Sequence, residues 1–144
     1  MEAERYRIAA LDFGTKRIGI ALSDELRMLA SARGIIPSTG AARSEILKLV
    51  ERENVRIVLL GLPSTLSGGD SDMTRQVRAF AAKLEPLLAK IGVRLELRDE
   101  RLTSVLANYN ISQSDLPKFR REEKHLRDEE AARILLQEYL DQHR

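Results

Sequence analysis

Two short apolar runs near the start of the chain flank a four-residue turn, and this pattern constrains the fold more than any other. The runs, at residues 8–11 and 18–22, are short enough to be β-strands, and a Phe-Gly-Thr-Lys turn at 13–16 separates them. The glycine permits the positive φ angle that a tight turn often needs. The pattern therefore predicts a β-hairpin that begins a sheet.

Asp12 stands between the first run and the turn, in a strand that is otherwise apolar. A carboxylate in such a place must be paired, hydrogen-bonded or bound to a cation. One interpretation is that Asp12 caps the turn through nearby backbone N–H groups. The other is that it belongs to a functional site.

The remaining patterns predict strands around 35–36, at 56–62 and at 93–98, and helices at about 41–52, 71–90, 99–109 and 126–142. Ser71 or Asp70 would be the N-cap of the second helix and Gly92 would end it, and Pro86 would kink it or shorten its last turn. Three strands followed by αβ units predict an α/β fold with a mixed five-stranded sheet and helices on both faces. We expect one domain over residues 1–144.

Composition limits the classes of protein. The chain is 43% hydrophobic and 32% charged, and it has no cysteine, which excludes a disulfide scaffold and thiol catalysis. No apolar run approaches the ~20 residues of a membrane helix, and the first residues lack a signal-peptide core. We therefore expect a cytoplasmic protein with no membrane partner. A net charge of +2 and a pI of about 9.1 hint at a polyanionic partner, although a balanced surface is the commoner explanation.

A second acid, Glu100, directly follows the predicted strand at 93–98. Ligands of open α/β sheets bind at the carboxyl ends of strands, which makes Glu100 a candidate site residue. The alternative is that Asp99 and Glu100 only favour the N-terminus of the next helix.

A third acid, Asp128, lies on the buried side of the last predicted helix when the helix is drawn as a wheel. Glu129 falls on the flank and Glu130 faces solvent. The residues that share the side of Asp128 are Ala131, Ala132, Ile134, Leu135, Leu136 and Tyr139.

A buried carboxylate needs a partner, and two partners remain open for Asp128. One is an arginine from the sheet, and the other is a metal ion shared with Asp12 and Glu100. Three converging carboxylates without cysteine or clustered histidine suit a hard cation such as Mg²⁺ or Mn²⁺. His125 and His143 lack metal-ligand spacing and are interpreted as surface residues.

Four segments together resemble the YqgF family, also called RuvX, over nearly the whole chain. They are Leu-Asp-Phe-Gly-Thr-Lys-Arg-Ile-Gly at 11–19, Gly-Leu-Pro at 61–63, Asp-Glu-Arg-Leu-Thr-Ser at 99–104, and Asp128 with Ala-Ala at 131–132 and Ile-Leu-Leu-Gln at 134–137. The resemblance implies a ribonuclease H-like fold and a nuclease described both as a Holliday junction resolvase and as the enzyme that trims the 5′ end of pre-16S rRNA. It implies Asp12, Glu100 and Asp128 as the catalytic, metal-binding set.

Two stretches depart from the family pattern. The loop at 64–69 reads Ser-Thr-Leu-Ser-Gly-Gly, where the family often has an asparagine and an Asp-Gly pair, so the role of loop 64–70 stays open. Glu129 and Glu130 stand where the family usually has small or apolar residues.

The mechanism that this pattern suggests uses two Mg²⁺ or Mn²⁺ ions. Asp12 would bridge them, Glu100 and Asp128 would each hold one, and the attacking water would be metal-activated. Partners would be RNA or branched DNA, and pre-ribosomal particles, with the protein as a monomer or homodimer. Basic side chains near the site would contact phosphates; these are Lys16, Arg17 and Arg101. Basic side chains further from the site would bind the nucleic-acid backbone; these are Lys118, Arg120, Arg121 and Lys124. The alternative for each of them is a solvated surface residue.

Two rival functions use the same features. Residues 11–15 also resemble the phosphate loop of actin-like ATPases and sugar kinases, but those proteins need two such domains, and this chain of 144 residues has no repeat. A non-catalytic RNA-binding assembly factor is the second rival, although a pure binder has no need of three carboxylates facing phosphates. We expect loop 64–70 and segment 111–125 to be the least ordered parts.

Overall fold

The computed structural model describes residues 3–63, 71–99 and 124–143, with side chains from residue 128 onward in the last range. The described strands are β1 (Arg7–Phe13), β2 (Arg17–Ser23), β3 (Ala30–Pro37), β4 (Val55–Leu62) and β5 (Arg94–Asp99). The described helices are α1 (Ala42–Arg52), α2 (Asp72–Ala89) and α3 (Lys124–Gln142). No helix within those ranges is long and apolar enough to cross a membrane.

The strands form one mixed sheet in the order β3-β2-β1-β4-β5. β2 pairs antiparallel with both β1 and β3, whereas β4 runs parallel to β1 and to β5. The predicted hairpin and the predicted five-stranded mixed sheet are confirmed. Because β1, β4 and β5 run in the same direction, their carboxyl ends meet at one edge of the sheet, where β2 begins.

Each face of the sheet carries its own apolar cluster, and alternation along β1 assigns its side chains to them. Ala9 and Leu11 are buried in the cluster that packs against α1 and α2, and Phe13 packs at its border. Ile8 and Ala10 are buried in the second cluster, with α3. The prediction of helices on both faces is confirmed.

Some predicted features of the helices are confirmed, and other predicted boundaries shift. Ser71 is the N-cap of α2, as predicted, and its side chain accepts the Thr74 N–H at 3.1 Å. Pro86 lies inside α2, which ends only three residues later, as a short final turn requires. Asp99 is the last residue of β5, paired with Leu62, and does not begin a helix.

α3 begins at Lys124, two residues before the predicted start and inside the segment expected to be least ordered. The remainder of that segment, loop 64–70 and the remainder of the predicted helix at 99–109 lie outside the described residues. Their expected disorder stays a prediction.

Candidate functional site

Asp12 lies at the carboxyl end of β1, the central strand of the sheet. It follows Ile8 and Ala10 at intervals of two residues, so its side chain is on the face that α3 covers. It is half-buried and has polar interactions of its own. The structure thus places Asp12 on the central strand of the sheet, on the face that the last helix covers.

Gly19 of β2 is the cross-strand partner of Asp12 and lies against the backbone of α3. A Cβ atom built on Gly19 would lie 2.1 Å from the carbonyl oxygen of Asp128 and 2.7 Å from the amide nitrogen of Glu129. Real Cβ atoms do not approach backbone so closely, so only glycine allows the helix to contact the strand here. This contact brings the Asp128 backbone directly beside the strand pair that carries Asp12.

Arg17 forms an ion pair with Asp128 across the same surface, with Nε 3.0 Å from Oδ2. Arg17 lies two residues before Gly19 and therefore on the same face of β2. The two side chains are 29% and 30% exposed. The arginine partner that the sequence left open for Asp128 is therefore present, and it is a residue that was expected, from its position near the site, to meet phosphates.

The acids that follow Asp128 have structural partners. Glu129 accepts a 2.9 Å hydrogen bond from the backbone N–H of Gly34 in β3. The prediction that Glu130 faces solvent is wrong: its side chain is only 18% exposed and pairs with Arg133. The pKa of Arg133 is raised above its ordinary value, chiefly by this hydrogen bond. Of the three neighbouring acids, Asp128 is the one whose side chain pairs with Arg17, at the carboxyl end of β1.

Several predicted site residues lie outside the described part of the chain. Glu100 immediately follows the last residue of β5, and the carboxyl end of β5 is at the same sheet edge as Asp12. Within residues 3–63, 71–99 and 124–143, no group of three or more acidic or histidine side chains is placed to hold a metal ion. Like Glu100, most of the predicted phosphate-binding residues lie outside the described part of the chain. They are Arg101, Lys118, Arg120 and Arg121, together with the side chain of Lys124.

Asp12 and Asp128 are the kind of ligand that suits a hard divalent cation. Asp12 pairs across the strands with Gly19, and the backbone of Asp128 lies against the same glycine, so the central strand and α3 each bring one acid to this surface. Carboxylate oxygens are the ligands that Mg²⁺ and Mn²⁺ prefer. Lys16, exposed in the hairpin turn, and Arg17 supply positive charge at the same sheet edge. Such an arrangement can attract a phosphate beside two carboxylates.

Sequence reasoning named the acids but missed Gly19. A lone glycine inside a strand is a signal of close backbone approach, and Gly19 carries that signal between two buried isoleucines. Its partner could not be named until the position of α3 was known.

Comparisons with known proteins find relatives along nearly the whole chain. A family model described as "RuvX: Holliday junction resolvase" matches residues 6–142. A Maridesulfovibrio salexigens protein named "Putative pre-16S rRNA nuclease" is 38% identical over 136 residues, which is 93% of this chain and 97% of the relative. A Roseiflexus protein of the same name is 40% identical, with both chains fully covered.

Solved structures show the same fold. Thermus thermophilus RuvC in complex with a Holliday junction substrate superposes with a TM-score of 0.60 at 12% identity, covering 96% of this chain and 95% of that one. The fowlpox virus resolvase in complex with Holliday junction DNA gives 0.59 at 14% identity, covering 94% and 97%. The predicted ribonuclease H-like fold is confirmed.

Proposed function

This chain belongs to the RuvX family, and we propose from that membership and from the site geometry that it is a divalent-metal-dependent nuclease acting on structured nucleic acid. The observation that carries the proposal is the contact at Gly19, which brings Asp128 of α3 beside the strand pair that carries Asp12. Arg17 already balances the charge of Asp128, so the metal assignment is supported by family membership and by the position of Asp12 and Asp128 on one surface.

The proposed metal-binding residues are Asp12, Glu100 and Asp128. Asp12 and Asp128 share one surface, and β5, whose last residue precedes Glu100 in the sequence, ends at the same sheet edge. When bound, a pair of Mg²⁺ or Mn²⁺ ions supplies activation of water and stabilisation of charge on the attacking and leaving oxygens. The role of the chain is to hold the carboxylates in place and to orient the phosphate, for which Arg17 and Lys16 lie at the same edge.

The proposed substrate is the 5′ end of the 16S rRNA precursor. Relatives of 36–40% identity over nearly the full chain carry the name "Putative pre-16S rRNA nuclease", whereas the resolvases that bind Holliday junction DNA share only the fold, at 12–14% identity. Four-way junction DNA, named in the family description, is the second substrate to test. The proposed place of action is the cytoplasm, on pre-ribosomal particles.

The test is single-turnover cleavage by purified protein with Mn²⁺ or Mg²⁺, on a pre-16S 5′ fragment and on a four-way DNA junction. Asp12→Asn keeps the size of the side chain but removes a ligand charge, so cleavage should be abolished. Nucleic-acid affinity, measured by filter binding, should stay equal or rise, since a negative charge facing phosphates is lost.

The matched control is Asp72→Asn, the same change at an exposed position in α2, where the side chain is 88% exposed. It should cleave like the wild type. If Asp12→Asn cleaves as fast as the wild type, the metal assignment fails and an RNA-binding assembly factor becomes the better interpretation.

A further inference from the structure

A cavity of about 330 Å³ lies on the sheet face opposite to α3. It is formed by the end of β1 and the hairpin turn, by the start of α1 and by one side of α2. Phe13 and Phe80 give it an apolar wall, and Arg43 of α1 and Lys83 of α2 give it positive charge. Among the described residues that line it there is no carboxylate.

The two cations of this cavity are uncompensated within the described residues. Across residues 3–63, 71–99 and 124–143, neither Arg43 nor Lys83 forms an ion pair. The N-terminus of α1 faces the same space, and its N-cap, Ala41, provides no side-chain cap. Like charges that share a cavity repel one another, and an anion between them relieves the repulsion. The cavity is therefore suited to a phosphate.

The aromatic wall of the cavity favours a ligand that has a flat ring as well as a negative charge. The rings of Phe13 and Phe80 pack on each other, 5.0 Å apart between centroids, and because Phe80 is buried in the core, the half-buried Phe13 is the ring that an entering base can contact. Aromatic side chains beside positive charge are the usual means of binding single-stranded nucleic acid, through base stacking and phosphate contact. The volume is at the lower end of small-molecule sites, roughly 300–1,000 Å³, which suits one nucleotide. A base in a duplex is stacked on both sides and cannot enter such a cavity.

The cavity is next to the proposed cleavage site along the chain. Phe13 directly follows Asp12, and alternation turns the two side chains to opposite faces at the same end of β1. Thr15, in the hairpin turn, also lines the cavity. A strand that crosses this end of the sheet can place a phosphate beside Asp12 and a neighbouring nucleotide in the cavity.

We propose that this cavity binds one unpaired nucleotide of the strand that is cleaved, adjacent to the scissile phosphate. The inference rests on the proposed nuclease function. It gives the protein a preference for a single-stranded segment at the cleavage site, since only an unpaired nucleotide fills the cavity.

The first test measures the charge. A fluorescein-labelled single-stranded RNA of twelve nucleotides is titrated by anisotropy against protein carrying Asp12→Asn, which prevents cleavage. Adding Arg43→Met with Lys83→Met should raise the Kd at least tenfold more than adding Lys48→Met with Arg52→Met. The second pair removes the same charge from the side of α1 that faces β3. Equal weakening by both pairs would overturn the proposal.

The second test fills the cavity. Ala79 lines it, whereas Ala89 is exposed ten residues further along α2, about 15 Å away, and is not among the described residues that line the cavity. Ala79→Trp should weaken binding of the single-stranded RNA at least tenfold and leave binding of a blunt RNA duplex unchanged, and Ala89→Trp should change neither. Wild-type binding of single-stranded RNA by a folded Ala79→Trp protein, verified by circular dichroism, would refute the assignment.

A free nucleotide offers the same chemistry as a nucleotide within a strand, so AMP is titrated as a competitor. Half-displacement of the RNA at an AMP concentration below the Kd of the RNA would show a mononucleotide site and overturn the strand assignment.

The nuclease proposal and the cavity proposal can fail independently of each other. If the wild type does not cleave but Ala79→Trp still loses single-stranded RNA, only the nuclease proposal fails; if the wild type cleaves and Ala79→Trp binds normally, only the cavity proposal fails.

Discussion

Replacing Gly19 by alanine tests the contact that positions the site. The new Cβ would lie 2.1 Å from the Asp128 carbonyl oxygen, and an ordinary contact begins at 3.4 Å, so the start of α3 must move by about 1.3 Å. The clash is with backbone, which no rotamer change relieves. Overpacking of this kind costs about 1–3 kcal/mol of folding free energy. A displacement of about 1 Å at a catalytic group can lower the rate by about 100-fold.

The assays are thermal unfolding followed by circular dichroism and single-turnover cleavage with Mn²⁺. We expect Gly19→Ala to lower the Tm by about 2–4 °C for each kcal/mol lost, and to lower the cleavage rate by about 100-fold. The control is Gly40→Ala, because a Cβ at Gly40 meets nothing within 4 Å and its φ is not positive. If Gly19→Ala keeps the Tm and rate of the wild type, close packing of α3 on β2 does not position Asp128.

Three further predictions follow from charge. Arg17→Met removes the positive charge beside Asp128, so Mn²⁺ binding measured by calorimetry should tighten several-fold, while RNA affinity should fall. Weaker Mn²⁺ binding would mean that Arg17 holds Asp128 in its metal-binding position. A triple variant, Lys118→Ala with Arg120→Ala and Arg121→Ala, should lower RNA affinity. It should also flatten the slope of log affinity against log salt concentration by about 0.7–0.9 per lost phosphate contact. Unchanged binding at every salt concentration would mean that these residues are only a solvated surface. Burial alone would raise the pKa of Asp24, but backbone N–H donors of the β2–β3 turn outweigh it and lower the pKa below 3.8. The resulting stability is present above that pH and lost below it, so the Tm difference between wild type and Asp24→Asn should shrink as the pH falls from about 5 to about 3; a constant difference would contradict this.

The sheet could be predicted because its signals are local. The two runs around the Phe-Gly-Thr-Lys turn have the length and composition of strands, and the hairpin fixes their pairing. The continuous apolar run of β4 reflects its place between β1 and β5, buried on both faces. The order of elements then leaves few ways to close the sheet.

The surroundings of α3 could not be predicted from a helical wheel. The wheel assumes that one side of the helix meets the sheet and the other meets water. In the structure β3 also contacts α3: Glu129 accepts the Gly34 N–H, and Gln137 accepts the Ala30 N–H at 2.9 Å. Polar positions on the flank of the helix therefore satisfy backbone groups of β3 in place of water.

The cavity that we propose to bind a nucleotide could not be predicted from the sequence either. Phe13, Arg43 and Lys83 come from a strand and two helices that are dozens of residues apart, and each fits its own element without a functional role. Only the packing of α1 and α2 on one sheet face brings them to a common space. No local pattern reports such a convergence.

The Arg17–Asp128 ion pair explains how the chain can fold with carboxylates gathered at one sheet edge. Asp12 and Asp128 lie on the same surface, and their negative charges disfavour the arrangement unless a positive charge is close. Arg17 supplies it, 3.0 Å from Asp128 and on the same face of β2 as Gly19. A cation and a phosphate arriving together offer both partners of the ion pair a replacement, since the cation suits the carboxylate and the phosphate suits the guanidinium. If the proposed metal assignment holds, binding of metal and binding of nucleic acid would be coupled through this one pair, and each should strengthen the other by the same factor.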